Sequence, residues 1–168
     1  MMNVLKNRLN TVLLVSFLVL PLDAMALSRG HEKIMSNADY QKQILFYVNE
    51  YRVKHHLSPL VMSYEASAEA AKHSREMANH SIPFGHKGFG GRIKRLYQKN
   101  KHCRGGAENV AYYRMDAKKL VSGWIASRGH RRNIEGHYNI TGIGIANSNK
   151  KGWAHFTQIF LRCDGKLA

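Results

Sequence analysis

Four polar segments carry histidine or carboxylate side chains within apolar or glycine-rich surroundings. They are FGHKGFGGR with His86, GGAENVA with Glu108, WIASRGHRRNI with Ser127 and His130, and AHFTQIF with His155. Imidazole and carboxylate ligands favour zinc, copper or nickel over calcium. Two histidines and one glutamate would form an open zinc site with one position left for water. Water bound to zinc ionises near pH 7, and Glu108 or His130 could then act as the general base of a hydrolase.

Each of these residues also has an ordinary structural interpretation. His155 could be a hydrogen-bonded histidine of the core. Glu108 could accept hydrogen bonds from backbone amides of the Gly105–Gly106 turn. His130 could stabilise the C-terminus of a helix, where a positive charge is favourable. Both interpretations stay open, because the segments are far apart in the chain.

Other catalytic motifs are incomplete. His31 and Glu32 begin the zinc-protease pattern His-Glu-x-x-His, but Met35 stands where the second histidine is required. The chain contains neither a P-loop nor the Gly-x-Ser-x-Gly nucleophile motif. Ser127 and His130 lack an evident carboxylate partner, so the sequence gives little support to a serine hydrolase.

Helical and extended patterns alternate along the chain, and they must position these side chains. Ser36 and Asp39 have capping-box spacing, so a helix is expected to continue to about His55. Pro59 then breaks the pattern, and Ser63 can cap the next helix. The remaining expected elements are a helix over 64–80, a basic helix over 91–100, a turn at KHCRGG, a strand at AENVAYY, a helix from Asp116 to Ser127, and strands over 141–146 and 153–162. The last two strands flank a turn-rich hexapeptide and form a predicted hairpin, and the order of elements favours an α+β domain.

The last strand is expected to present different residues on its two faces. Period-two alternation places His155 with Thr157 and Ile159 on one face. The other face carries Ala154, Phe156 and Phe160. The phenylalanines can therefore serve the core while the histidine faces a cleft.

The N-terminus is expected to be a cleaved signal peptide over 1–26. Lys6 and Arg8 precede the apolar run TVLLVSFLVL, and Ala24-Met25-Ala26 forms a cleavage signature. The run is shorter than the roughly 20 apolar residues of a membrane-spanning helix, so cleavage after Ala26 is favoured over the alternative of an uncleaved anchor. Residues 27–39 would form a lead-in, and no later stretch of the mature chain is expected to cross a membrane. The protein is therefore predicted to be periplasmic or extracellular.

The two cysteines remain after cleavage. Exported compartments permit disulfides, so Cys103 and Cys163 are predicted to be bonded to each other, with two free buried thiols as the alternative. The formal net charge of +15 would attract an anionic envelope or host ligand, which could be a lipid, but a basic surface that serves solubility alone is the simpler interpretation. Nucleic acid is not expected, because export separates the protein from it and the chain has no zinc finger or RNP motif.

Five segments in order resemble the CAP superfamily, also called SCP/TAPS, which includes the cysteine-rich secretory proteins, venom allergen five and the plant pathogenesis-related proteins of group one. They are VNEYRVKHHLSPL, AENVAYY, GWIASRGHRRNI, TGIGIA and AHFTQIF. The resemblance extends over about 40–162, and the bacterial branch is the most similar. It implies a single CAP domain over 40–168, folded as a three-layer α-β-α sandwich with a central antiparallel sheet.

The resemblance also implies a cleft with two histidines and two glutamates, in which the histidines bind a divalent metal, often zinc. Carried over by motif, the metal ligands would be His86 and His155, and Glu108 would be the first glutamate. Ser127 occupies the position of the second glutamate, and His130, one helical turn later, could take its place. Ala107 replaces the glycine that precedes the first glutamate in the family.

Three functions are compatible with this sequence. The favoured hypothesis is a monomeric, secreted binding protein without catalysis, with an optional metal in its cleft. The second is a metal-dependent hydrolase that uses His86, His155 and Glu108, with Glu108 or His130 as the general base. The third is a lipid or sterol carrier, a role known for some members of the family.

Overall fold

The computed structural model describes residues 35–164 and shows an α+β fold. The predicted signal peptide and residues 27–34 of the lead-in lie outside the described residues, and the rest of the lead-in includes the start of α1. The elements are α1 (Asn37–Lys54), β1 (Val61–Met62), α2 (Tyr64–Ala78), α3 (Phe89–Lys99), β2 (Cys103–Arg114), α4 (Ala117–Ala126), α5 (Arg128–Ile134), β3 (Ile140–Asn147) and β4 (Trp153–Cys163). No helix in the described part is long and apolar enough to cross a membrane.

Three helices begin at the side-chain caps that the sequence predicts. Ser36 and Asp39 form a reciprocal capping box at α1. The Ser63 hydroxyl accepts from the Ala66 amide at α2, and the Asp116 carboxylate accepts from the Lys119 amide at α4. These bonds satisfy amide groups that have no partner within the helix.

The sheet has four strands in the order β1-β3-β4-β2. The predicted hairpin is confirmed, since β3 and β4 pair antiparallel, and β2 pairs antiparallel with the other side of β4. The sheet is mixed rather than wholly antiparallel, because the two-residue strand β1 lies parallel to β3. The segment KHCRGG was predicted as a turn, but Cys103–Gly106 belong to β2, where pairing with β4 overrides the local preference of the glycines.

Helices cover both faces of this sheet, and the faces are set by the alternation predicted for β4. Phe156 and Phe160 pack in one core with residues of α1 and α4. Ile159 packs in a second core with residues of α2 and α3. Thr157 also faces α2, where its hydroxyl accepts from the Ser74 hydroxyl at 2.9 Å. The result is the α-β-α arrangement expected from the resemblance.

Two glycines of β3 allow α2 to lie unusually close to the sheet. A Cβ atom at Gly142 would collide with the backbone of Ala66 and Ser67, and one at Gly144 would collide with the backbone at Ala70. The glycines in TGIGIA are therefore required by packing between layers rather than by a turn.

The predicted disulfide is present between Cys103 and Cys163. The two residues are paired directly across β2 and β4, 60 positions apart in sequence. The bond therefore joins the start of β2 to the end of β4.

Candidate functional site

Glu108 is the buried centre of the predicted site. It lies on β2, and its side chain is 1 % exposed. Arg92 of α3 donates to both carboxylate oxygens, from Nε to Oε2 at 2.9 Å and from Nη2 to Oε1 at 2.8 Å. Arg92 is itself buried, and its Nη1 donates to the Lys87 carbonyl. A buried carboxylate needs such a partner, because an isolated charge would be costly to remove from water.

His86 connects this buried pair to solvent. Its Nδ1 lies 3.0 Å from Oε1 of Glu108, while 52 % of the side chain is exposed. Because a carboxylate accepts, Nδ1 carries a hydrogen, and Nε2 is the ring nitrogen on the side away from Glu108. Glu108 thus orients the imidazole rather than facing the cleft itself.

His73 is a member of this cluster that sequence reasoning missed. It lies on α2, fully buried, and its Nε2 donates to the Gly85 carbonyl at 2.8 Å. The same nitrogen is 3.8 Å from Oε1 of Glu108. Burial lowers the pKa of His73, although the bond to Gly85 opposes this effect. The sequence offered only a histidine within an alanine-rich helix, which is no signal for a site.

The open part of the site is a cleft of about 570 Å³ along β2. One wall is the loop at 84–86, and the other is formed by α4 and the start of α5. The lining residues are Phe84, Gly85, His86, Val110, Ala111, Tyr112, Tyr113, Lys119, Leu120, Gly123, Trp124, Ser127 and His130. A larger cavity of about 800 Å³ beside the disulfide contains none of the predicted site residues.

Ser127 and His130 both line this cleft with His86. Burial lowers the pKa of His130, and the positive charge of His86 lowers it further. The alternative role considered for His130, at a helix C-terminus, does not match its position. It lies inside the short helix α5, and its carbonyl accepts from the side chain of Asn109.

His155 occupies a more enclosed position. It is 8 % exposed and pairs with Tyr112 across the sheet, with ring centroids 4.7 Å apart. Its Nδ1 is buried without a hydrogen-bond partner. Burial lowers the pKa of His155, and the charge of His80 adds to this effect. His86 therefore interacts with His130, whereas His155 interacts with His80 and with the rings of Tyr112 and Phe84.

The donor set for a metal is limited to histidine nitrogens. Oε1 of Glu108 accepts from both Arg92 and His86, and Oε2 accepts from Arg92, so this carboxylate is held in a buried ion pair and does not line the cleft. Within residues 35–164, no group of three or more histidine, cysteine, aspartate or glutamate side chains could hold an ion. The nitrogens of His86 and His155 are compatible with a metal, but Glu108 does not fit as a third ligand.

Comparison with known proteins identifies the class to which this fold and site belong. The family model described as "Cysteine-rich secretory protein family" matches residues 45–160, so the chain is a member of the CAP family. An uncharacterized membrane protein, YlbC, from Bacillus subtilis (strain 168) is 32 % identical over 125 residues. That alignment covers 73 % of this chain but only 34 % of YlbC, so the chain spans about one third of its relative.

Solved structures support the same conclusion. An extracellular protein containing an SCP domain from Bacillus anthracis str. Ames is 26 % identical, with a TM-score of 0.63, over 74 % of this chain and 41 % of that protein. An outer surface protein from Borrelia burgdorferi shares the fold at 15 % identity, with a TM-score of 0.66, over 77 % and 97 % of the two chains.

Proposed function

We propose that this CAP-family chain is an exported, monomeric binding protein whose cleft along β2 takes up a ligand with an apolar body and an anionic group. The observation that supports this proposal most directly is the make-up of the cleft. Aromatic and aliphatic side chains form its walls, while His86 and Lys119 offer cationic or hydrogen-bonding groups. Glu108, the carboxylate next to it, is buried and paired with Arg92, so it does not repel an anion.

Export supports the same proposal. The signal-peptide pattern precedes the domain, and one similar structure is that of an extracellular protein. The relative YlbC is described as a membrane protein. We infer that this chain acts in the periplasm or outside the cell, at or near the envelope. There, the net charge of +15 would attract anionic lipid or polymer.

The cleft can be tested with 8-anilinonaphthalene-1-sulfonate, a fluorescent anion with an apolar ring system. We expect one saturable site in the wild-type protein. Lys119→Gln should weaken binding by removing a cation, and Gly123→Phe should block it by filling the cleft from α4. A Cβ atom at Gly123 meets nothing within 4 Å, so the backbone at this position accepts a side chain without a collision at its first atom. Binding that is unchanged in Gly123→Phe would contradict the proposal.

Metal binding by His86 and His155 is a second proposal, and one contact favours it. A carboxylate that holds one nitrogen of a histidine ring commonly orients the other nitrogen toward a metal. Glu108 holds His86 in this way. Hydrolysis would then need a base other than the Arg92-bound Glu108, and His130 is the residue that lines the cleft. A lipid or sterol ligand would be detected as a competitor of the fluorescent anion.

A further inference from the structure

The strand β2 lies at the edge of the sheet. The strand order places β4 on one side of β2, and no strand in the described residues pairs with its other side. An edge strand presents a row of unpaired backbone N–H and C=O groups, and an extended chain can pair with them.

Hydrogen bonds at the end of β2 fix which amides face outward. In an antiparallel pair, successive residues direct their backbone groups alternately toward and away from the partner strand. The Met115 amide donates to the Gly152 carbonyl at 2.9 Å, so position 115 faces the β4 side. Every second residue before it does the same, so the backbone groups of Tyr113 and Ala111 also point toward β4. The backbone groups of Tyr112, which lies between them, point outward.

A second contact confirms this alternation. The carbonyl of Glu108 accepts from Nδ2 of Asn133 on α5, so position 108 faces away from β4. The next outward positions are Val110 and Tyr112, and both line the cleft. Asn133 therefore covers the edge at Glu108. Beyond it, Val110 is 5 % exposed and Tyr112 is 38 % exposed, and no strand among the described residues pairs with either position from outside.

Residues of β2, of the loop at 84–86 and of α4 line the same cleft, so this edge lies along a groove. The loop at 84–86 lies on one side, and Leu120 and Trp124 of α4 lie on the other. Adjacent strands lie about 4.8 Å apart, so a fifth strand would lie between two existing walls. Its side chains would alternate between the wall that carries His86 and the wall formed by α4.

We propose that an extended peptide, with acidic and apolar side chains in alternation, pairs with Val110 and Tyr112 as a fifth strand of the sheet. This inference rests on the proposed function and names its ligand class. The acidic side chains would face His86, and the apolar ones would face the α4 side of the cleft, where Tyr113 is 38 % exposed while Leu120 and Trp124 are buried. The loop at 84–86 and α4 flank this edge on both sides, so a single extended chain can reach it, whereas the sheet edge of a second folded copy would meet these two elements.

A blocked heptapeptide of alternating glutamate and valine is the probe. Amide exchange followed by NMR should show rapid exchange at Val110 and Tyr112 in the free protein and protection when peptide is added. N-methylation of the peptide amides that face β2 removes two hydrogen bonds and should lower affinity by about tenfold. N-methylation of the alternate amides should leave affinity unchanged. Equal effects of the two modifications would overturn the proposal.

Gly123→Phe should abolish peptide binding, because the ring would occupy the groove. Gly129→Phe is the matched control, since a Cβ atom there also meets nothing within 4 Å and Gly129 does not line the cleft. If the fluorescent anion binds in a Gly123-dependent manner but the peptide does not, strand addition is wrong while the proposed function stands. If neither binds, both fail. A dimer in solution that is lost in Gly123→Phe would assign the edge to a second copy and overturn the peptide proposal.

Discussion

Arg92 donates to both carboxylate oxygens of Glu108, and both side chains are buried. This pair joins α3 to the edge strand β2. It also fixes the oxygen that His86 contacts, so the exposed imidazole depends on a buried ion pair for its orientation.

Removal of one member of the buried Arg92–Glu108 pair should destabilise the protein. Arg92→Ala would leave the Glu108 carboxylate uncompensated, and we expect unfolding free energy to fall by about 3–5 kcal/mol. Urea denaturation measures this change. The double variant Arg92→Met/Glu108→Leu removes both charges and should be more stable than Arg92→Ala. Equal loss in the two variants would show that lost packing, not the buried charge, is responsible.

Acid should destabilise the protein through its buried histidines. The pKa values of His73, His130 and His155 are lowered in the folded state, so the unfolded chain binds more protons below its histidine pKa of about 6.5. Their contribution is complete above that pH and is lost as the pH falls toward the folded values. The urea concentration at the midpoint of unfolding should therefore be lower at about pH 5.5 than at about pH 7.5.

His73→Gln is the informative variant for this pH effect. Glutamine can keep a donor toward the Gly85 carbonyl without titrating, so the variant should show a shallower pH dependence of stability. An unchanged dependence would exclude His73 as a contributor.

Zinc titration calorimetry tests the predicted ligands. If His86 and His155 bind the metal, His86→Ala and His155→Ala should each abolish one-site binding, while His130→Ala should retain it. If zinc binding is lost in His130→Ala but retained in His155→Ala, the site would instead be assigned to His86 and His130, which line the same cleft. Binding that survives His86→Ala would refute both arrangements.

Alanine at Gly142 or Gly144 should destabilise the protein by about 1–3 kcal/mol or more, because the added methyl group collides with the backbone of α2. Gly123→Ala is the control, since its Cβ atom would meet no other atom within 4 Å. Thermal unfolding of the three variants gives the comparison. A loss at Gly123 as large as that at Gly142 would contradict the packing argument.

The disulfide should contribute through the 60-residue separation that it spans. In the chain-entropy model, a disulfide that closes a loop of this length adds about 4 kcal/mol to the free energy of unfolding. A Cys103→Ala/Cys163→Ala variant should therefore unfold at a lower denaturant concentration. Alkylation followed by mass spectrometry should label neither cysteine in the native oxidised protein. Labelling of both without reductant would argue against the bond.

The sequence alone determined the helix starts at Ser36, Ser63 and Asp116 and the β3–β4 hairpin, because caps and hydrophobic periods act over a few residues. It did not indicate β1, which is only two residues long and is defined by its parallel pairing with β3. The turn predicted around Cys103 failed for a related reason, since the pairing partner lies 60 positions away.

The residues of the candidate site also fall into two groups, those that the sequence indicated and those that only the structure revealed. Motifs in the sequence supplied His86, Glu108, Ser127, His130 and His155. They did not supply Arg92 or His73, whose roles arise only where α2 and α3 pack over β2. The tertiary structure decided which histidine shares the cleft with His86. It also decided which oxygens of Glu108 already accept hydrogen bonds. These relationships depend on side-chain contacts between segments distant in sequence, and no local pattern encodes them.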